Sequence, residues 1–195
     1  IAVSDSAAGP FTVIRDGPSH AVFNCSHSQG DFDLFTDDDG TTYLILTHYD
    51  SFCLERLDEH YLGGTGDVTW ITAQDPLIPD HPPGDEAPTL FKRGKTYYVT
   101  YASGCCGCKG GSITWAHTAP HPLGPWTLQG SLTPSGPVTK AQQRAVFRVP
   151  SVPHPVSDHD YTYIHVGNNW VPGNGGEGTC TNGGLLYWWP LQFTS

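Results

Sequence analysis

The sequence predicts an all-β protein of the β-propeller type, and three observations support this prediction. Glycine and proline, with 23 and 17 copies, make up about a fifth of the 195 residues, so the chain turns often. Short apolar segments ending at Phe35, Phe91 and Phe147 recur at two equal intervals of 56 residues. A turn and a strand rich in tyrosine and β-branched residues follow each segment. A repeat of this length holds about four short strands, the size of a large propeller blade.

Each repeat contains a hairpin signal. In the first, the acidic turn 37–40 precedes the β-forming segment 42–46, and in the second, the turn 92–95 precedes segment 97–101. In the third, a longer loop rich in Pro, His and Asp precedes segment 161–166. Polar turns that contain glycine between β-forming segments predict hairpins. The aspartates at 37–39 lack the alternating spacing of a calcium-binding EF-hand loop, so we interpret them as a turn.

A second feature recurs in a similar phase. Aromatic residues stand at Phe11, Trp70 and Trp126, separated by 59 and 56 residues. Helical signal is weak, because the best candidate, residues 53–60, runs into a pair of glycines. The chain holds about three and a half repeats of the length of a propeller blade. A β-sandwich with coincidental spacing is the alternative fold, and the two equal intervals with matched flanks favour the propeller.

Composition excludes several functional classes. The formal net charge is −10, which argues against nucleic acid and anionic membranes as partners, because phosphate binding needs basic patches. Aromatic residues make up 12% of the chain, more than a disordered chain carries. No apolar run approaches the roughly 18 residues of a membrane-spanning helix. We therefore expect a globular protein with neither a nucleic-acid nor a membrane partner.

Cysteine usage favours secretion. The six cysteines are an even number, and residues 24–26 form an N-glycosylation sequon. Six cysteines allow about 15 disulfide pairings, and spacing does not choose among them. Cys105 and Cys108 form a lone Cys-x-x-Cys, and a structural zinc site usually needs a second pair. We expect disulfides, no metal, no cofactor and an extracellular monomer. Because the chain has no Met and opens within the repeat pattern, we also expect it to be processed or partial.

Candidate catalytic residues come from the repeat itself. Asp31, Glu86 and Gln142 lie four or five positions before Phe35, Phe91 and Phe147. The first strand of each propeller blade lines the central channel, so these side chains are expected to converge. Two carboxylates in one cleft can perform acid–base chemistry of the kind that glycoside hydrolysis uses. Spacing alone leaves open the alternative that Asp31 and Glu86 only cap strands or turns.

Other conspicuous side chains allow two interpretations. Trp170, Trp188 and Trp189 could stack on sugar faces, although aromatics at strand ends more often pack between blades. His165 lies in an apolar strand and could face the channel, although a buried core histidine is the commoner case.

Longer motifs resemble a known family. Residues 31–44 resemble the second-blade motif of glycoside hydrolase family forty-three, and residues 86–98 resemble its general-acid motif. Residues 9–11 and 124–126 are similar to its strand-ending signature. The resemblance implies a five-bladed β-propeller and inverting hydrolysis. It assigns Glu86 as general acid and Asp31 as the residue that orients Glu86 and raises its pKa.

The resemblance also implies a missing element. The family's usual general base, an Asp of the first blade, has no counterpart in this sequence. We therefore expect residues 1–195 to be a partial catalytic propeller domain that lacks its N-terminal blade, about three and a half blades of five. The isolated chain is then expected to be inactive on glycans.

Within the family, the late motifs resemble the exo-β-1,3-galactanase branch. Residues 142–146, 167–170 and 187–191 follow that branch's order, which implies substrate-binding roles for Gln142 and Trp170. The expected substrate is a plant cell-wall polysaccharide with terminal β-1,3-linked galactose.

Departures from the branch leave alternatives open. They lie at Arg144, at Asn168-Asn169 and in the loop around Cys106. A β-xylosidase or α-L-arabinofuranosidase activity therefore remains an alternative, as does a non-catalytic carbohydrate-binding propeller. The retained Glu86 motif disfavours the non-catalytic alternative.

Overall fold

The computed structural model describes most of the chain, and every element in the described part is a β-strand except one 3₁₀ helix, Asp158–Asp160. The described residues are 1–15, 23–25, 30–49, 51–73, 85–103, 112–132, 141–172 and 180–193, with only the backbone described at 170–172 and 180–185. No helix among them is long and apolar enough to cross a membrane. The all-β prediction is confirmed.

The strands form four antiparallel sheets in chain order. The first sheet pairs β1 (Ala2–Val3) with β2 (Thr12–Val13). The second has the order β3 (Phe32–Thr36), β4 (Thr42–His48), β5 (Ser51–Leu57) and β6 (Gly64–Thr72). The third contains β7 (Asp85–Arg93), β8 (Thr96–Ser103), β9 (Ile113–Ala119) and β10 (Thr127–Ser131). The fourth contains β11 (Gln142–Pro150), β12 (Tyr161–Pro172) and β13 (Cys180–Pro190). Within each sheet, strands that are consecutive in the chain are hydrogen-bonded neighbours, as in the blades of a propeller.

The 56-residue repeat is the repeat of the sheets. Phe35, Phe91 and Phe147 each lie on the first strand of a sheet and face a residue of the second strand. The predicted equivalence of the three phenylalanines is therefore confirmed. The acidic segment 37–40 is the turn between β3 and β4, with Gly40 at φ +86°, a conformation that glycine adopts without steric cost.

The second recurring feature is shared by two repeats only. Phe11 and Trp126 stand directly before β2 and β10, and each follows a glycine with positive φ and a proline. Trp70 instead lies inside β6, near its end, and is exposed. Trp70 therefore shares the approximate spacing of the other two aromatics, whereas its place relative to its strand differs, because residues 68 and 69 before it already pair with β5.

The main core lies between the second and third sheets. Alternate residues of β4, β5 and β8 point into it, as expected for strands that bury one face. Its buried members are Tyr43, Ile45, Phe52, Leu54, Ile71, Ala73, Leu90, Tyr97, Val99, Tyr101 and Trp115. The opposite face of β8 carries Tyr98, which contacts Phe91 and Phe193. The third sheet therefore packs on both of its faces.

Polar contacts join the sheets at the turn end of the first strands. The Lys92 ammonium lies 2.7 Å from Oδ1 of Asp37 and 2.8 Å from Oδ2 of Asp38. The Tyr97 hydroxyl donates to Asp37 at 2.5 Å. These bonds lower the pKa of Asp37 against the opposing effect of its burial, and they raise the pKa of Lys92. The turn between β3 and β4 is thereby held against the third sheet.

A disulfide fixes the approach to β3. Cys25 and Cys53 are bonded, and both are buried. Next to them, the buried Glu55 carboxylate accepts hydrogen bonds from the backbone and side chain of Asn24 and from the Cys25 backbone. The expectation of disulfide bonding is confirmed for this pair. Cys105, Cys106 and Cys108 lie outside the described residues.

The second and fourth sheets each carry large apolar side chains that are exposed to water. On β3, Phe32 is 63% exposed, and Leu34 is also exposed. On the fourth sheet, Trp188 is 56% exposed and stacks against the exposed Phe147. Sheets in globular proteins usually bury such faces against another layer.

Candidate active site

The first strands of three sheets bring the candidate catalytic residues together. β7 lies between β3 and β11 and contacts both. Asp31 directly precedes β3, Glu86 is the second residue of β7, and Gln142 is the first residue of β11. All three therefore lie at the same end of adjacent strands.

Glu86 and Gln142 are in direct contact. The Nε2 atom of Gln142 donates a hydrogen bond to Oε2 of Glu86 at 2.8 Å. The two residues are 56 positions apart, so one repeat length separates the partners. Gln142 is buried and Glu86 is partly exposed, which leaves the carboxyl accessible to a ligand.

Asp31 contacts the backbone beside Glu86 rather than its carboxyl. Its Oδ2 atom accepts a hydrogen bond from the Ala87 N–H at 3.1 Å. The Thr47 N–H donates to the Asp31 carbonyl at 2.9 Å, which fixes the start of β3 on β4. Asp31 thus stands close enough to Glu86 to act on its ionisation and holds the peptide that follows it.

The electrostatics of the site raise the pKa of Glu86. Burial raises the pKa of the Glu86 carboxyl, the hydrogen bond from Gln142 lowers it, and the negative charge of Asp31 raises it. The net direction is upward. A carboxyl with a raised pKa holds its proton nearer to neutral pH and can deliver it to a leaving group. The direction of this shift is the one that the family resemblance implies, with burial as its largest cause.

The backbone at the site is irregular. The pairing of β7 with β8 shifts register between Glu86 and Thr89, which is a β-bulge. Within it, Ala87 has φ +53°, a left-handed conformation that costs a non-glycine residue about 1–3 kcal/mol. Bulges of this kind redirect side chains and occur beside active sites. Here the bulge directs Glu86 toward Gln142.

Two further residues belong to the site, although the sequence analysis did not single them out. Gln143 is buried, and its Nε2 donates to the Ala87 carbonyl at 3.0 Å. Asp33 accepts a hydrogen bond from the Leu90 N–H at 3.3 Å, and burial raises the pKa of its carboxyl. Asp33 lies two residues after Asp31 and therefore points to the same face of the strand. Gln143 lies one repeat of 56 residues after Ala87. These two spacings could have identified both residues from the sequence.

A cavity continues from the site along the three first strands. It has a volume of about 370 Å³, and Asp33, Leu90, Val146 and Arg148 are among its lining residues. Lys92 lies at its far end, where the turns of β3 and β7 meet. The three first strands therefore line one common cavity, as the repeat predicts.

The remaining predicted residues are placed only in part. Trp170 pairs with Asn182 in the β12–β13 ladder, and its side chain lies outside the described part of the structure. His165 is buried on β12, and burial lowers its pKa to about 4. Across the described ranges, no group of three or more His, Cys, Asp or Glu side chains could hold a metal ion.

The sheet order and the cavity lined by successive first strands place the chain among the β-propeller proteins. A sequence model of the glycosyl hydrolases family 43 matches residues 1–181. The match covers most of the chain, so the protein belongs to glycosyl hydrolase family 43. No curated protein sequence matches the chain.

Solved structures share the fold. A family 43 β-1,3-galactosidase, BT0265, superposes with a TM-score of 0.67 at 22% identity, covering 97% of this chain and 35% of that chain. An exo-β-1,3-galactanase variant from Phanerochaete chrysosporium, in complex with β-1,3-galactotriose, superposes with a TM-score of 0.66 at 20% identity. The match covers 99% of this chain and 39% of that chain. An α-L-arabinofuranosidase from Clostridium thermocellum superposes with a TM-score of 0.58 at 22% identity. The match covers 86% of this chain and 52% of that chain. The chain thus spans between about a third and a half of the length of these three relatives.

Proposed function

We propose that the protein is a glycoside hydrolase that releases terminal β-1,3-linked galactose from plant cell-wall polysaccharide with inversion of configuration. One observation carries the proposal: Glu86 is a partly exposed carboxyl with a raised pKa, held at 2.8 Å by the Gln142 amide. The galactose specificity is supported by the late motifs at residues 142–146, 167–170 and 187–191, which resemble those of the exo-β-1,3-galactanase branch.

In this mechanism Glu86 acts as general acid. Its proton passes to the glycosidic oxygen as the bond to the anomeric carbon breaks, and Glu86 becomes a carboxylate. The Gln142 N–H then donates to that carboxylate, which favours the charged product state. The negative charge of Asp31 keeps the proton on Glu86 until the leaving group takes it. Gln142 also contacts the sugar or helps to place the attacking water.

The general base is expected to lie outside residues 1–195. Inverting enzymes separate acid and base by about 6.5–9.5 Å, which leaves room for the water. Asp31 does not suit this role, because its Oδ2 is bonded to the Ala87 amide on the acid's own strand. We propose a base on an additional first blade, supported by the greater length of the relatives. The exposed apolar faces at Phe32 and Trp188 are the surfaces that additional strands would cover.

Secretion is part of the same proposal. The sequon at Asn24 and the Cys25–Cys53 disulfide both suit an oxidising compartment. Detection of the intact disulfide and of an Asn24-linked glycan on protein recovered from culture medium would support it. Recovery of the protein only from the reducing cytosol would contradict it.

The test uses the full-length protein on two substrates with different leaving groups. Glu86→Gln should lower kcat on β-1,3-galactan by about 10²–10⁴-fold, because the leaving sugar needs a proton. An aryl β-galactoside with an acidic phenol needs little protonation and should lose much less. The matched control is Glu59→Gln, the same change at a side chain that is 87% exposed near the β5–β6 turn.

The outcome separates the alternatives. Full activity of Glu86→Gln on galactan overturns the acid assignment. Turnover of xylosides or arabinofuranosides instead of galactosides, with the same dependence on Glu86, would support the acid role of Glu86. It would contradict the proposed galactose specificity. Galactan binding without turnover of any substrate favours the non-catalytic alternative. Proton NMR of the first-released anomer tests inversion directly.

A further inference from the structure

We infer that Gln143 is a positioning residue that sets the orientation of Glu86 by clamping the Ala87 peptide. The inference rests on the proposed role of Glu86 as general acid. Gln143 is adjacent to Gln142 in the sequence, but the two side chains have different partners. Gln142 donates to the Glu86 carboxyl, whereas Gln143 donates to two backbone carbonyls.

The Gln143 NH2 group donates to two backbone carbonyls. Its Nε2 donates to the Ala87 carbonyl at 3.0 Å and to the Thr100 carbonyl at 2.7 Å. The side chain is 2% exposed, so both bonds are shielded from water. Buried hydrogen bonds are costly to lose, because the carbonyl left behind has no solvent to replace the donor. Gln143 therefore ties the bulge on β7 to the neighbouring strand β8.

The Ala87 peptide is held from both sides. Its N–H donates to Asp31 of the second sheet, and its carbonyl accepts from Gln143 of the fourth sheet. Between these bonds Ala87 keeps φ +53°, and the following residue is Pro88, which further restricts the backbone before it. A strained conformation persists only where its surroundings impose it. Because Ala87 follows Glu86 directly, releasing its peptide would change the direction in which the Glu86 side chain points.

Only glutamine among the common side chains of this length supplies the geometry. Its planar amide offers two N–H groups, and each bonds to one of the carbonyls. Glutamate keeps the shape but supplies no donor when ionised, and methionine keeps the length and apolar packing but supplies no donor at all. Gln143→Met thus removes the clamp and retains most of the side-chain volume.

The experiment compares Gln143→Met with the wild type in the full-length protein. On β-1,3-galactan we expect kcat to fall about 10–100-fold with KM changed less than about threefold, the size of effect that a misplaced catalytic group produces. On the aryl β-galactoside with an acidic phenol the loss should be clearly smaller, because that substrate needs little help from the acid. Equal losses on both substrates would indicate general damage and overturn the inference.

A second variant tests the backbone step. Glycine adopts positive φ without steric cost, so Ala87→Gly should partly restore the galactan activity of Gln143→Met. Additive losses in the double variant would contradict the clamp. If neither Gln143→Met nor the double variant folds, judged by thermal melting, Gln143 serves folding as a whole and the positioning role is overturned.

Glu86→Gln, measured in parallel, separates this inference from the proposed function. If Glu86→Gln shows the leaving-group dependence and Gln143→Met does not, only the inference fails. If Glu86→Gln shows none, the acid assignment itself fails.

Discussion

Asp31 and Ala87 are 56 residues apart in the chain, yet Oδ2 of Asp31 accepts a hydrogen bond from the Ala87 N–H at 3.1 Å. One carboxylate thus does two things at Glu86. It fixes the adjacent peptide by a hydrogen bond, and its charge raises the pKa of the Glu86 carboxyl. The two contributions can be separated by substitution.

Asp31→Asn should remove the charge while an amide oxygen can still accept from Ala87. Without the negative charge the pKa of Glu86 falls, so the basic limb of the kcat/KM–pH profile should move to lower pH. Asp31→Leu loses both contributions and should lower kcat further at every pH. An unmoved basic limb in Asp31→Asn would contradict the electrostatic role. Asp67→Asn, at an exposed aspartate of β6, is the control.

Substitution of Gln142 should shift the profile in the opposite direction. The Gln142 N–H favours the ionised form of Glu86, so Gln142→Leu raises the pKa of the acid. The basic limb should move to higher pH, while kcat falls because the product carboxylate loses its donor. A limb that moves to lower pH would show that Gln142 does not bond to Glu86 in solution. Gln129→Leu, on an exposed stretch of β10, is the matched substitution.

Two buried histidines should make the fold sensitive to acid. Burial lowers the pKa of His117 and His165 to about 4, against 6.5 in an unfolded chain. Between these values the unfolded state binds more protons than the folded state. The contribution of the two histidines to the free energy of unfolding is therefore fully present above pH 6.5 and decreases as the pH falls toward 4. The slope is at most about 1.4 kcal/mol per pH unit for each histidine.

His165→Gln should flatten that slope. Urea unfolding at several pH values measures it, and subtraction from the wild type removes the opposite contributions of Asp33 and Glu86, whose pKa values are raised. His60→Gln, at an exposed histidine, should leave the slope unchanged. An unchanged slope in both variants would contradict the assignment to buried imidazole.

The Cys25–Cys53 disulfide should contribute strongly to stability. It closes a loop with a sequence separation of 28 residues. Loop-closure entropy for such a length is worth about 3–4 kcal/mol. The Cys25→Ala/Cys53→Ala variant should therefore unfold at clearly lower urea concentration than the wild type. The three hydrogen bonds from residues 24 and 25 to Glu55 do not depend on the sulfur atoms and should limit the loss. Identical midpoints with and without the disulfide would refute this contribution.

Repeat spacing predicted the fold and the position of the site. Equal intervals between Phe35, Phe91 and Phe147 follow from equal blade lengths, and side chains at the same or neighbouring offsets on adjacent first strands lie close together. The proximity of Asp31, Glu86 and Gln142 is therefore a consequence of register. The roles assigned to them remain predictions.

The contacts themselves could not be predicted from the sequence. Alanine before proline carries no signal for a left-handed backbone, and Ala87 adopts it because two other sheets bind its peptide. Which of Gln142 and Gln143 reaches Glu86 depends on the bulge in β11 after Gln143, where pairing with β12 shifts. Disulfide pairing depends on which cysteine the fold places beside Cys53 on β5, which spacing alone does not determine.

The interblade contacts at Ala87 also have a kinetic consequence. Each partner lies 56 residues away, so forming the bonds requires closing two long loops, and such contacts form late in folding. The local hairpins close earlier, because their strands are neighbours in the chain. During refolding, far-UV circular dichroism should therefore recover before the acid reaches its working geometry. Enzymatic activity would then lag behind secondary structure, and the length of that lag would measure how slowly the third sheet docks between its neighbours.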